Sequence, residues 1–220
     1  MTDVPPGHYS AVLVGHVWPS NSSLDVIRQA SAAVAGTAAA YHRLREQLRQ
    51  TRIGPLADQT GVTADDVCGA FERGEAHARD IAEKHDAKRA AFDGAHDAAA
   101  ELRSQLAAIA DDGNARISRI HHSKDPLPDK IDQIVDTVLQ CQGRATAAAA
   151  PYGQDILGAV QRVLDRAGVD TSARQFAAAH GIDTPRLFAA PNGDRVREHV
   201  TALLAGPAPA PAAGALTWPT

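Results

Sequence analysis

The side chains able to do chemistry are scattered along this chain. Ten histidines are present, among them His77, His85, His96 and the adjacent pair His121-His122. A zinc site asks for two ligands on one helix face, at i and i+4, with others converging on the same point. His77 and His85 stand eight residues apart, and two neighbouring imidazoles on a helix point in different directions. No metal site and no cofactor is expected. No serine stands in a Gly-x-Ser-x-Gly frame, and neither a phosphate loop nor Gly-x-Gly-x-x-Gly occurs. The acidic residues between positions 63 and 112 alternate with Arg and Lys, as on a solvated helix face. An enzyme is therefore not expected. Cys68 and Cys141 fall in separate helical patterns and read as small core residues, since a bridge would need their Cα atoms within roughly 7 Å.

The most specific feature is a dipeptide. Trp18-Pro19 stands directly before the first helical pattern, and the other Trp is also followed by Pro, at Trp218-Pro219. Pro fixes the entry of the chain, while a Trp just outside a helix can pack back across it and donate its indole N–H. A hydrophobic staple with no partner role accounts for the same residues.

The elements that would position these groups are helical. About one residue in five is Ala and only nine are aromatic, which favours helices and leaves little to fill a wide sheet core. Residues 1–21 hold Pro5, Pro6, Gly7, Gly15 and Pro19 and read as irregular. Ser22 with Asp25 resembles a capping box. From there Leu24, Ile27, Val34, Tyr41, Leu44 and Leu48 predict a helix over 22–50, ended by Gly54-Pro55. A second helix is predicted over 63–121. Its seam steps by four and three from Val67 through Phe71, Ala78, Ile81, Phe92, Ala99, Leu102 and Leu106 to Ile109, with His85 and Lys88 as polar members. Fifty continuous helical residues would be about 75 Å long. Gly113-Asn114 is a candidate break. A third helix is predicted over 127–167, with Pro151 as a kink point and Gly168 as its end. Short helices follow over 172–180, 185–190 and 193–204, and a Pro/Ala-rich linker from Gly206 to Thr220 suggests that the natural chain continues.

The expected fold is all-α: an elongated antiparallel helical bundle over 22–168 with one very long helix, then a small C-terminal helical cluster over 169–205. Net charge is −4, which supplies no global attraction to phosphate backbones. No stretch reaches the ~20 apolar residues of a membrane span, and no basic segment with an apolar run marks a signal peptide. A long heptad pattern needs a mate, either within the chain or from another copy, so a helical partner or a homo-oligomer is expected.

The stretch from Trp18-Pro-Ser-Asn-Ser-Ser-Leu-Asp-Val-Ile-Arg28 to Gln-Ala-Ser-Ala-Ala-Val34 resembles the Trp-Pro-x-Gly-Asp…Leu-Arg-x-x-Ala opening of actinobacterial type VII (ESX) secretion substrates. It is most similar to the N-terminal helical domain of the necrotising-toxin channel protein and related polymorphic toxins, and more distantly to the WxG family. Asn21 and Ser22 stand in place of Gly-Asp. The resemblance implies a non-enzymatic secreted or cell-surface protein exported without a cleaved signal, or the N-terminal export and scaffold module of a larger one. Secretion machinery or a cytoplasmic chaperone would be the partner, and Trp18, Pro19, Ile27 and Arg28 the candidate recognition residues. It also implies a further reading, the head of a toxin whose catalytic part lies beyond residue 220. The other class is a cytoplasmic scaffold or helix-turn-helix regulator, from Ala57-x-x-x-Gly61-x5-Val67 and Ala177-x-x-x-Gly181-x5-Leu187. The first of these presents Asp65, Asp66 and Glu72, which repel phosphate, and no nucleic-acid partner is expected.

Overall fold

A computed structural model describes residues 3–182 and 191–205. The described chain is all-α, with no strand. Helix α1 spans Ser10–Val14, followed by a 3-10 turn at Gly15–Val17; α2 spans Asn21–Ile53, α3 Val62–His122, α4 Leu127–Ala167, α5 Ala173–Ala179 and α6 Gly193–Ala205. The three principal helices lie within a few residues of their predicted bounds. The predicted helix over 185–190 and the linker with Trp218-Pro219 lie outside the described residues.

Two local expectations are corrected. The N-terminal segment, read as irregular because of its Pro and Gly content, contains α1, and Tyr9, Val12, Leu13 and Val14 are buried. Tertiary contact overrides weak local propensity there. The first long helix is capped by Ser20 and not begun at Ser22: the Ser20 hydroxyl accepts from the Ser23 N–H at 3.0 Å. Asp25 plays no capping part, because its carboxylate accepts from Arg28 at 2.9 Å.

The chain divides into two compact units. The first unit comprises Pro19–Ser104 with the chain from Ala149 through α5. The second comprises the N-terminal residues up to Trp18, Gln105–Ala148 and α6. In the first unit, α2 and α3 run antiparallel, as Ser31 meets Asp93, His42 meets Asp86 and Arg52 meets Glu75. Arg166 of α4 pairs with Glu83 of α3 there. In the second unit, α3 and α4 are also antiparallel, with Arg144 on Asp112 and Lys130 on the His121 carbonyl.

The two cores differ in substance. Alanines dominate the first: Ala38, Ala78, Ala82, Ala99, Ala149 and Ala159 are buried, with Leu102 and Leu164 the large members. The second packs Leu13, Leu106, Ile117, Ile134, Val138 and Val200 at 2% exposure or less. A buried Leu, Ile or Val contributes about 1.5–3 kcal/mol and each buried CH₂ about 0.8, so the second core carries more transfer energy per residue. On α3 the predicted seam is buried at Ala78, Ala99, Leu102, Leu106 and Ile109, and Ala82, Ala110 and Ile117 widen it. A helix packed on two sides needs an apolar stripe wider than a two-per-heptad seam.

Gly113-Asn114 does not break α3, because both residues serve tertiary contacts. A Cβ on Gly113 would lie 2.6 Å from Leu13 Cδ2 and 3.0 Å from Cys141 Sγ, so Gly lets α1 and α4 approach. The Asn114 side chain accepts from the Tyr9 N–H at 3.1 Å and donates to Ser10 Oγ at 2.9 Å and the Ala110 carbonyl at 2.8 Å. Pro151 sits inside α4 on an exposed position, where the carbonyl it leaves unpaired can reach water.

The space around each glycine sets a matched test. Gly94 meets nothing within 4 Å, so Gly94→Ala is expected to raise stability by about 0.5–1 kcal/mol through helix propensity. Gly113→Val is expected to lower it by about 1–3 kcal/mol through overpacking against Leu13 and Cys141. Thermal and urea unfolding followed by circular dichroism reads both signs.

Candidate functional site

The Trp-Pro corner is built by three consecutive backbone constraints. Trp18 closes the 3-10 turn with extended backbone, φ −71° and ψ 117°, the conformation that a following proline imposes. Pro19 turns the chain, and its carbonyl accepts from Arg103 Nη1 of α3 at 2.6 Å. Ser20 then caps α2. The start of α2 is thus tied to α3 by a charge-assisted bond, among the stronger kinds. Trp18 is half-buried. Ile27 and Arg28 lie about two turns along α2. Ile27 is half-buried and Arg28 is exposed beside Asp25.

Polar rungs set the register of α2 on α3. Ser31 Oγ donates to Asp93 at 2.5 Å, His42 Nε2 lies 2.8 Å from Asp86 Oδ2, and Arg52 Nε donates to Glu75 at 2.7 Å. Arg52 also lies 3.4 Å from Glu72. The Ser31 hydroxyl, then Arg89, holds the Asp93 carboxyl below the usual range. The seam residues His85 and Lys88 are both half-buried at this level. The His85 Nδ1 atom is buried and has no hydrogen-bond partner.

The helix-turn-helix spacing at Ala57–Val67 has a different origin. Residues 54–58 are turns, and Gly61, at φ 109°, leads directly into the single long helix α3. Gly breaks the chain and Val62 restarts it, with no first helix to pack against a second. The other match, at Ala177–Leu187, lies partly outside the described residues. Cys68 and Cys141 are both free. Burial pushes the Cys141 thiol up. Among the described residues no group of three or more His, Cys, Asp or Glu could hold a metal, and no helix is long and apolar enough to cross a membrane.

The second unit carries a cleft of about 270 Å³ that no sequence motif marked. The chain at 12–17 forms one wall, Gln142 and Thr146 of α4 another, and Asn192, Arg195 and His199 of α6 the third. Gln142 Nε2 donates to the Val12 carbonyl at 2.6 Å, and the Asn192 side chain caps α6 by accepting from the Arg195 N–H at 3.1 Å. The pairs Gln142/Thr146 and Arg195/His199 each share a helix face at i,i+4 spacing, which was readable in the sequence. Their convergence was not, because it joins segments far apart in the chain.

The chain is similar to the uncharacterized protein Rv2082 of Mycobacterium tuberculosis, being 31% identical over 192 residues, 83% of this chain and 25% of the mycobacterial protein. It spans about a quarter of that relative's length. No protein-family model and no solved structure matches.

The Ser31–Asp93 rung is directly testable. Asp93 is expected to titrate below the usual Asp range, and Ser31→Ala to move its midpoint upward. Because the folded-state value is depressed, the rung's contribution is present above the unfolded Asp value near 3.9 and is lost as pH falls through the folded one. Carboxyl carbon NMR titration of both proteins reads the shift.

Proposed function

We propose that the chain is a non-enzymatic, type VII (ESX)-associated secreted protein, or the export and scaffold module of a larger one, and that it works by presenting helical surfaces to secretion machinery or a cytoplasmic chaperone. The observation that carries this reading is the Trp18-Pro19 corner opening an antiparallel helical pair, tied by the Arg103 bond to the Pro19 carbonyl. The bundle gives such a partner rigid faces: on α2, Val26 is 65% and Leu44 42% exposed, and Arg28 is exposed near Val26. A second reading, the head of a toxin whose catalytic part lies elsewhere in a longer chain, draws support from the relative, which is about four times the length of the matched stretch. Extending the reading frame past Thr220 and finding a domain with a catalytic frame would favour it.

Export of wild type and Trp18→Ala, in strains with and without a type VII system, tests the first reading. Wild type is expected outside the cell only where the system is present, and Trp18→Ala to be exported about tenfold less, as when one central aromatic is lost from an interface. Circular dichroism melts of the two proteins separate lost recognition from lost folding. Equal export in all four combinations removes the reading.

A further inference from the structure

The cleft of the second unit is lined without a carboxylate among the described residues, in a chain that holds 26 acidic residues. What lines it is an arginine, histidines, a threonine hydroxyl and carboxamides, over apolar contributions from Val12, Val14 and Val196. Those three valines are buried, at 6%, 1% and 5% exposure, so they form the floor, and the lining valine a ligand can still touch is the half-buried Val17.

The architecture explains why Arg195 and His199 face this space. Val196 and Val200 form the buried stripe of α6. Arg195 and His199 each precede a stripe residue by one position and so flank it along a common edge. The neighbouring Arg197 is drawn away to Asp132 of α4, at 2.6 Å. Among the described residues no carboxylate pairs with Arg195. Opposite, the Gln142 amide is immobilised by its bond to the Val12 carbonyl, and Gly15, at φ 60°, brings the 3-10 turn close to it. The Gln142 wall and the helix bearing Arg195 and His199 are thus positioned before any ligand arrives, while the Arg195 and His199 side chains themselves are exposed.

We propose that this cleft binds a compact oxyanion carrying a short apolar tail, such as a small alkyl phosphate or carboxylate, with Arg195 as the principal donor, His199 as the second and the half-buried Val17 receiving the tail. A volume near 270 Å³ lies just below the usual range of about 300–1,000 Å³ for ligand pockets, so the ligand is smaller than a nucleotide. The proposal is independent of the export reading: it concerns the second unit's own surface and is measured on purified protein.

Isothermal titration and amide NMR of the full chain, at low salt, with butyl phosphate, inorganic phosphate and butyrate test it. At least one organic anion is expected to bind saturably, shifting the amides of Gly15, Thr146 and residues 192–199. Butyl phosphate above butyrate identifies a phosphate ligand, and the reverse order a carboxylate. Inorganic phosphate is expected to bind more weakly than butyl phosphate, because it leaves Val17 uncovered. Arg195→Gln is expected to weaken binding about tenfold or more, the effect of losing a charge-assisted hydrogen bond. His199→Gln is expected to weaken it several-fold, and Arg197→Gln, outside the cleft, to leave it unchanged. Arg195 is exposed, so melting curves of its variant should match wild type. No saturable binding of any probe up to about ten millimolar, or equal affinity in Arg195→Gln and wild type, overturns the proposal.

Discussion

Close approach of helices across small residues is the constraint on which the structure rests. α3 is one uninterrupted helix of 61 residues, and neighbours pack against it at Ala and Gly positions along its length. In the first unit the methyls of Ala78, Ala82 and Ala99 set this approach, and beyond them Leu102 is the large buried side chain that α3 brings to that core. In the second, Gly113 admits Leu13 and Cys141, while Leu106, Ile109 and Ile117 fill the space to either side. Removing one methyl from the first kind of contact costs about 1–2 kcal/mol, from lost burial and lost helix propensity together. Adding one to the second collides with buried atoms.

An alanine face fixes separation better than it fixes alignment, because methyls offer few distinct knobs for the partner's holes. The first unit supplies alignment by other means. Ser31–Asp93, His42–Asp86 and Arg52–Glu75 each join α2 to α3, and a one-turn slip would break all three. As exposed or half-buried pairs they contribute modestly to stability. Their value is in register, and the Arg103 bond to Pro19 extends the same logic to the Trp-Pro corner. The second unit has bulky side chains to interdigitate as well as polar links of its own, Arg144–Asp112 and Lys130 to the His121 carbonyl. There the Asn114 amide also anchors the N-terminal segment.

The proposed export surface and the proposed anion cleft draw on different parts of this design. The first uses outward helix faces such as that of α2, with Trp18-Pro19 as the local signature. The second uses a place where three elements enclose space and where the charge balance departs from that of the chain as a whole. Neither requires the seam residues His85 and Lys88, which are half-buried where the polar rungs already set alignment.

Helix positions were legible in the sequence because they follow from periodicity and punctuation, both local. Gly54, Gly61 and Gly168 end or separate the long elements, and α4 lies at its predicted bounds. The corner residues Trp18 and Pro19 were legible for the same reason. Local reading went astray where a residue's role is set by a distant partner: the N-terminal segment is helical because it is buried against α3. The helix was rightly carried through Gly113-Asn114, but the docking role of that pair was not visible. The cleft residues Arg195, His199 and Gln142 were individually unremarkable polar side chains. The sequence alone determined that this chain makes rods, and within a few residues where the three long ones begin and end. Which small residues become contacts, which polar residues align the rods and which converge on a cleft were decided only by tertiary structure, because those roles depend on atoms brought together from far apart in the chain, 130 residues in the case of Val12 and Gln142.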